Sequence, residues 1–136
     1  MTQTMQKTVL PLELVTRELK TGPVSTRHYA ELTTDFNPIH MDPEFAAGTS
    51  FGQPIIHGTM GLNLLVDTIE ATFGNPAPEL EIDVRFIRPV PVGTTIRSGG
   101  SLREAATGTY DVFVETAAGE RAVEGTLRVV SPNASN

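Results

Sequence analysis

The segment that most constrains the fold is residues 59–73, TMGLNLLVDTIEATF, the most apolar stretch of the chain. Its apolar side chains cover more than a narrow stripe of a helix, so the rest of the protein should surround this helix on most sides. Two prolines within residues 75–78 end the helix, because the residue before a proline disfavours the helical conformation. The sequence therefore predicts one long, almost wholly buried central helix.

The chain beyond this helix has a period of two. Residues 80–86 alternate apolar and charged side chains, which is the pattern of a half-buried strand. Short glycine-containing turns separate further segments of this kind, at 96–102, 110–116 and 123–129. A weaker strand is predicted at 9–20. Antiparallel strands and one buried helix predict an α+β protein with the hot-dog fold, in which an antiparallel sheet wraps around a long central helix.

Two shorter helices are predicted before the central one. Ser25 is a suitable N-cap for a helix at 26–33. Asp42 can cap another helix that has Pro43 at its first position, where proline is tolerated best. That second helix is short, because Gly48 follows within two turns.

The length of 136 residues predicts a single domain over 1–136, with an ordered core at 9–130 and frayed ends at 1–8 and 131–136. The hydrophobic content of 39% is modest for a core. One sheet with one helix also leaves a sheet edge that is usually paired or covered. We therefore expect a homodimer.

Composition argues against several classes of function. The chain has no cysteine, and therefore no disulfide framework, thiolate nucleophile or thiolate metal site. Its start lacks the apolar core of a signal peptide, and no run reaches the roughly 18 apolar residues that span a bilayer. The net charge is −6 and the basic residues are scattered, so neither nucleic acid nor a membrane is an expected partner. A cytoplasmic location fits these features.

The residues that carry chemistry lie in DFNPIHMDPEFAAGTSFGQPIIHG, residues 35–58. Asp35 and His40 stand five residues apart around a stiff Asn-Pro corner and can exchange protons with one substrate. Gly58 lies at the start of the central helix, where backbone N–H groups have no helical partner and can bind an oxyanion. A proton-transfer pair and a backbone donor are what the addition of water to an activated double bond requires.

These residues resemble the MaoC-like (R)-specific enoyl-CoA hydratases. The resemblance lies in Tyr29-Ala30, the run from Asp35 to His40, Asp42, Ala46-Ala47, Phe51, His57-Gly58 and residues 86–104. It implies a hot-dog fold, usually as a dimer or a pair of fused repeats, that acts on 2-enoyl thioesters without a metal or an organic cofactor. The spacing of the acidic and histidine residues also matches no zinc motif.

The resemblance implies a role for each central residue. Asp35 and His40 would hold one water that supplies both the hydroxyl group and the proton, and the Gly58 N–H would stabilise the enolate at the thioester oxygen. Each residue also has a simpler interpretation. Asp35 would be a surface turn residue, His40 a satisfied, partly buried histidine, and Gly58 a glycine that only the turn requires.

Five further residues are predicted to contact the substrate: Phe51, His57, Thr59, Asn63 and Val66. For His57 a structural hydrogen bond is the favoured interpretation. Thr59 and Asn63 form a polar stripe with Asp67 that borders the site or a dimer interface. Some relatives have a hydroxyl residue where this chain has Val66. Three strand arginines, Arg85, Arg88 and Arg97, are candidates for contacts with the nucleotide of coenzyme A, although isolated arginines are more often solvated.

The leading functional hypothesis is reversible hydration of trans-2-enoyl-CoA to (R)-3-hydroxyacyl-CoA. The first alternative is the same chemistry run as a dehydratase on acyl-carrier-protein thioesters. A hot-dog thioesterase would also bind acyl-CoA, but it would leave the loop with Asp35 and His40 unexplained. A non-catalytic thioester-binding subunit has no need to retain both residues.

Overall fold

The computed structural model describes residues 9–130. Three helices precede most of the sheet: α1 (Pro23–Thr33), α2 (Pro43–Ala47) and α3 (Gly58–Phe73). The strands are β1 (Arg17–Lys20), β2 (Leu80–Phe86), β3 (Thr95–Glu104), β4 (Thr109–Thr116) and β5 (Arg121–Val129). The prediction that residues 1–8 and 131–136 are frayed falls outside the described residues.

The five strands form one antiparallel sheet in the order β1-β3-β4-β5-β2. Helix α3 packs against β1, β3, β4 and β5, and the core lies between this helix and the sheet. Leu65 of α3 and Leu127 of β5 are fully buried there. The predicted α+β hot-dog arrangement is confirmed. No helix within residues 9–130 is long and apolar enough to cross a membrane.

One side of α3 is exposed, which differs from the prediction that the helix is almost wholly buried. Its exposed residues are Thr59, Asn63, Val66, Asp67 and Glu70. Polar side chains at four-residue spacing place these positions on one face of the helix, and this face does not pack on the sheet. The exposed face of α3 begins at Gly58, next to the candidate acid–base residues.

The first strand is much shorter than predicted, and the prediction of strand over 9–16 is wrong. Pro11 has no backbone N–H to donate to a sheet. Within residues 9–16 the chain pairs with β3 only at an isolated bridge. There the Leu14 N–H donates to the Gly100 carbonyl at 2.9 Å, and the Leu12 carbonyl accepts the Leu102 N–H at 2.8 Å. The next amide, that of Val15, points to the opposite side of the chain and donates to the Thr72 hydroxyl of α3 at 2.8 Å.

Helix α1 begins three residues earlier than predicted, and Ser25 is not its N-cap. Gly22 is the N-cap and Pro23 occupies the first helical position, where its fixed φ favours the helix. The Ser25 hydroxyl still takes part in the cap, because it accepts the Gly22 N–H at 3.0 Å. The predicted cap of α2 is confirmed, since the Asp42 carboxylate accepts two amides of its first turn.

The edge strand β2 pairs with β5 across a glycine. A Cβ atom on Gly125 would lie 2.0 Å from the Asp83 carbonyl oxygen, so no larger residue fits between the two strands as they stand. The apolar face of β2 is only partly covered: Ile82 is 42% exposed and Phe86 53% exposed. The predicted half-buried strand therefore keeps an apolar surface at the edge of the sheet.

Candidate active site

The loop that carries Asp35 and His40 is shaped by its own side chains. Helix α1 ends at Thr34 in a left-handed conformation, with φ of 55°, and the Asp35 N–H donates back to the Ala30 carbonyl at 3.1 Å. Asn37 accepts the Ile39 N–H at 3.0 Å and so caps a 3₁₀ turn, Pro38–His40. The Asn37 side chain thus shapes the loop and fixes the spacing between Asp35 and His40.

The Asp35 carboxylate and the His40 ring face each other. His40 Nε2 lies 3.9 Å from Asp35 Oδ2, too far for a direct hydrogen bond. On the other side of the ring, His40 Nδ1 lies 2.7 Å from the Ile55 carbonyl oxygen. A carbonyl oxygen only accepts, so Nδ1 carries the proton, and in the neutral ring the lone pair is on Nε2, towards Asp35. The His40 side chain is 12% exposed and that of Asp35 is 49% exposed.

His57 lies behind this pair as the N-cap residue of α3. Its ring stacks on the His40 ring, with centroids 3.9 Å apart and planes at 24°. Its Nε2 lies 3.0 Å from the main-chain carbonyl oxygen of Asp35. The residue is 2% exposed, and its Nδ1 is buried with no hydrogen-bond partner among the described residues.

Gly58 is the first residue of α3 and is exposed. Within residues 9–130 no protein group accepts its N–H, as expected at a helix N-terminus. The ring of Phe86 lies over the glycine, because a Cβ atom there would be 3.2 Å from two ring carbons. A small apolar cavity of about 40 Å³ lies behind it, between the start of α3 and the sheet.

Tyr29 connects α1 to the exposed face of α3 and is a site residue that sequence reasoning did not single out. Its hydroxyl donates to Thr59 Oγ1 at 2.7 Å and accepts from Asn63 Nδ2 at 3.0 Å. Its ring meets the His57 ring edge-on at 5.0 Å. The available signal was its place in the motif that carries the family resemblance.

The other predicted site residues lie further out. Phe51 follows α2 in a turn and is 44% exposed, and Val66 is 37% exposed on α3. Asp67, at the end of the polar stripe, faces Arg17 of β1 at 3.6 Å. Of the five predicted contact residues, Thr59 and Asn63 are hydrogen-bonded to Tyr29, and His57 packs against the Tyr29 ring. His28 is exposed on α1.

The three arginines proposed for nucleotide contacts are paired with glutamates, and two of them, Arg85 and Arg97, lie in strands. Arg85 lies 3.1 Å from Glu124, Arg88 lies 3.7 Å from Glu120, and Arg97 contacts Glu115. The simpler interpretation as solvated surface residues fits Arg85 and Arg88, which are exposed, whereas Arg97 and Glu115 are both partly buried. A contact with the nucleotide of coenzyme A remains a prediction, and Arg88 is the best placed because it borders the cavity behind Gly58.

Asp35, His40 and His57 each offer a ligand atom, and these atoms lie within 4.8 Å of one another. Their geometry suits a shared metal ion poorly. A histidine binds a metal in the plane of its ring at about 2.0–2.1 Å, and two stacked rings point their lone pairs along nearly parallel planes. One nitrogen of each ring is also bonded to a backbone carbonyl.

Three comparisons identify proteins similar to this chain. A (R)-specific enoyl-CoA hydratase from Aeromonas caviae is 35% identical over 122 residues, 82% of this chain and 87% of that protein. The 3-hydroxyacyl-thioester dehydratase Z of Mycobacterium tuberculosis is 38% identical over 96 residues, and the match spans 65% of this chain and 64% of the dehydratase.

The solved structure of the (R)-hydratase from A. caviae involved in PHA biosynthesis superposes with a TM-score of 0.72 and 27% identity. The superposition covers 92% of this chain and 98% of that one. The family model described as the MaoC like domain matches residues 4–124. The chain therefore belongs to the MaoC-like domain family.

Proposed function

We propose that the protein hydrates trans-2-enoyl-CoA to (R)-3-hydroxyacyl-CoA, reversibly and without a metal or an organic cofactor. The observation that carries this proposal is the arrangement of three groups. The Asp35 carboxylate and His40 Nε2 face each other at 3.9 Å, and the Gly58 N–H, which has no acceptor within residues 9–130, lies at the start of α3. The similarity to the A. caviae hydratase supports the same reaction class.

The separation of 3.9 Å suits one water held by both side chains, because a water can donate to or accept from each at normal hydrogen-bond length. The thioester carbonyl makes C3 of the enoyl group electrophilic. As the water oxygen attacks C3, one member of the pair accepts a water proton, and the pair returns a proton to C2. The sum is one water added across the double bond, with no net change in the protonation of the enzyme.

Negative charge moves to the thioester oxygen during this addition. The Gly58 N–H, aided by the positive end of the α3 dipole, is our candidate donor for that oxygen. Thr59 is a second candidate contact. Its hydroxyl oxygen accepts from Tyr29, so its own proton is directed elsewhere and is free to donate to the substrate. Asn63 and Val66 lie on the same exposed face of α3, and with Phe51 they remain candidate substrate contacts.

The main alternative is the reverse reaction on a carrier-protein thioester, as a (3R)-hydroxyacyl dehydratase. The similarity to dehydratase Z favours considering it, since that protein is named for dehydration of 3-hydroxyacyl thioesters. The reacting groups would be the same, and the carrier alone would differ.

Activity is tested by the loss of conjugated-enoyl absorbance when the purified protein is added to crotonyl-CoA. We expect bleaching at an enzymatic rate, unaffected by a chelator. Failure with several chain lengths, on both coenzyme A and carrier protein, would contradict the proposal. A rate that falls with chelator and returns with zinc would instead support a metal at Asp35, His40 and His57.

The product configuration is tested in the same cuvette. An (S)-specific 3-hydroxyacyl-CoA dehydrogenase with NAD⁺ should form no NADH, whereas an (R)-specific dehydrogenase should. NADH formation with the (S)-specific enzyme would contradict the (R) assignment even if hydration occurs.

We also propose that the protein is a homodimer. Edge strand β2 keeps Ile82 and Phe86 half exposed, and Ile87 just after it is 41% exposed. A second copy that covers this edge would bury apolar surface and pair the free backbone groups of the strand. Phe86 also lies over Gly58, so this interface would border the site.

A further inference from the structure

His57 is a buried ionisable side chain to which the proposed reaction assigns no proton transfer. With 2% of its surface exposed, it is far less accessible than Asp35. It lies behind the His40 ring, stacked on it at 3.9 Å, on the N-terminal side of α3. Such a residue needs a physical account, because burial of an ionisable group is costly unless its hydrogen bonds are made.

The hydrogen bonds of His57 define its protonation. The Asp35 carbonyl oxygen can only accept, so His57 Nε2 carries a proton and donates to it. His57 Nδ1 is buried and has no partner among the described residues. The Nε2–H tautomer is therefore the one that fits the contacts of this ring among residues 9–130.

In this tautomer His57 is connected to all three groups of the proposed reaction, Asp35, His40 and Gly58. Its N–H holds the backbone of Asp35, its ring supports the face of His40, and its own peptide unit leads directly into Gly58. The edge of the Tyr29 ring closes the other side of the imidazole at 5.0 Å. Movement of His57 would therefore change the positions of the acid–base pair and of the oxyanion donor relative to each other.

We propose that His57 is a positioning residue for hydration: its imidazole fixes the Asp35–His40 pair relative to the Gly58 N–H without exchanging protons with the substrate. The proposal rests on the function proposed above. It differs from a contact between His57 and substrate, because the ring is covered by His40 and Tyr29. It also differs from a purely structural histidine, because its effect on rate should act through His40.

Two substitutions distinguish the stacking of His57 on His40 from its hydrogen bond to the Asp35 carbonyl. His57→Phe keeps an aromatic ring for stacking and loses the N–H, whereas His57→Gln keeps an amide N–H near the position of Nε2 and loses the ring. Each should lower kcat by about 10–100-fold with KM changed by less than about threefold, since misplacement by about 1 Å costs on this order. His28→Gln, on an exposed histidine of α1, is the matched control and should leave both constants unchanged.

A double-mutant cycle tests whether the effect acts through His40. In a His40→Gln background, His57→Phe should lower the residual kcat by less than about threefold, because there is no longer an imidazole to position. The same loss in both backgrounds would overturn the proposal and leave His57 as a general structural residue. A rise in KM with unchanged kcat would also overturn it, in favour of substrate contact.

The protonation state is tested without any activity measurement. Nitrogen NMR of the imidazole rings in the wild-type protein at neutral pH should show one histidine in the neutral Nε2–H tautomer that disappears in His57→Gln. An Nδ1–H tautomer or a doubly protonated ring for His57 would overturn the proposal, whether or not the variants fold well enough for kinetics.

Failure of the proposed function remains distinguishable from failure of this inference. If Asp35→Asn and His40→Gln retain full hydratase activity, the acid–base assignment is wrong. If those variants lose activity while both His57 variants retain it, the acid–base assignment stands and the positioning role of His57 is wrong.

Discussion

At the residue scale, Asp35 and His40 are both held from the side that faces away from the proposed water. His40 donates through Nδ1 to the Ile55 carbonyl, and the backbone of Asp35 is held by His57. The carboxylate oxygen Oδ2 and the ring nitrogen Nε2 are thereby left for the reaction. General acid–base help from such groups is worth about 10²–10⁴ in rate.

Loss of either group should therefore be severe. Asp35→Asn and His40→Gln are near-isosteric, and each should lower kcat by about 10²–10⁴. The double variant should lose little more than the worse single variant, because two groups that share one water act as a unit. Steady-state kinetics on crotonyl-CoA measures all three proteins.

Circular dichroism and oligomer size serve as controls for folding in these variants, since neither change opens a large cavity. Additive losses would mean that Asp35 and His40 have independent roles. Near-normal activity of Asp35→Asn would exclude this carboxylate as a proton carrier.

The part of this site that lies within one short segment could be predicted from the sequence, whereas the part that depends on tertiary packing could not. Asp35, Asn37 and His40 lie within six residues, so a turn alone brings them together, and Gly58 is marked by the start of an apolar helix. Tyr29 reaches Thr59 and Asn63 across thirty or more residues of sequence, which no spacing rule predicts. The stacking of His57 on His40 likewise depends on how α3 meets the loop.

At the element scale, the pairing of β2 with β5 depends on Gly125. In Gly125→Ala the new methyl group would meet the Asp83 carbonyl oxygen at 2.0 Å and the Val84 Cα at 2.6 Å, so the strands must separate. We expect the free energy of unfolding to fall by about 1–3 kcal/mol or more, as in overpacked cores. Urea denaturation measures the difference.

Gly48→Ala is the matched control for this strand substitution. Its Cβ would meet only the Phe45 carbonyl oxygen at 3.6 Å, an ordinary contact, and its φ of −85° suits alanine. This change should leave stability within about 1 kcal/mol of the wild type. Equal destabilisation by both substitutions would contradict the close approach of β2 at Gly125.

Glu115 on β4 joins three neighbouring strands through charge. Arg97 of β3 donates a hydrogen bond to it and holds the pKa of this carboxyl below its ordinary value of 4.5; burial opposes this shift, and Arg121 of β5 adds to it. A lowered carboxyl pKa contributes stability above the ordinary value, and this contribution is lost as pH falls through the lowered value.

Glu115→Gln should therefore destabilise the protein at pH 7, by about 0.2–1 kcal/mol because both arginines are partly exposed. The difference from the wild type should shrink as pH falls below 4.5. Urea denaturation at several pH values measures it, with the exposed Glu70→Gln as control. A difference that does not depend on pH would contradict the electrostatic account.

The elements that sequence reasoning found are those with a strong period, and its errors lie where a single contact overrides the pattern. Strands β2 to β5 and helix α3 follow their apolar periodicity closely. The first strand begins only at Arg17, after a segment in which Pro11 has no N–H to donate, and α1 starts early because Pro23 favours its first turn. The exposed side of α3 was not predicted, because the number of apolar residues in a helix does not show which of its faces other elements cover.

At the scale of the whole molecule, the proposed dimer predicts a mass by light scattering of twice the chain mass of 14.6 kDa at micromolar concentration. Ile82→Glu should shift the protein towards the monomer, since a charge would have to be buried at the β2 edge. Leu12→Glu is the control, because Leu12 is 74% exposed and its carbonyl pairs with β3 at the opposite side of the sheet.

A stable monomer in the wild type would contradict the proposed dimer. Dissociation by Leu12→Glu but not by Ile82→Glu would move the interface to the other edge of the sheet. In either case the crotonyl-CoA rate of each variant shows whether the site depends on association.

The reacting groups and the sheet come from different parts of the chain. Every polar side chain of the site network lies within residues 29–63, whereas four of the five strands lie within residues 80–129. The short connection at 74–79 separates the two parts. A crossover in the gene at this connection would keep the reacting groups together on one segment. Because the core lies between α3 and the sheet, such an exchange of strands requires relatives whose apolar side chains match across that core.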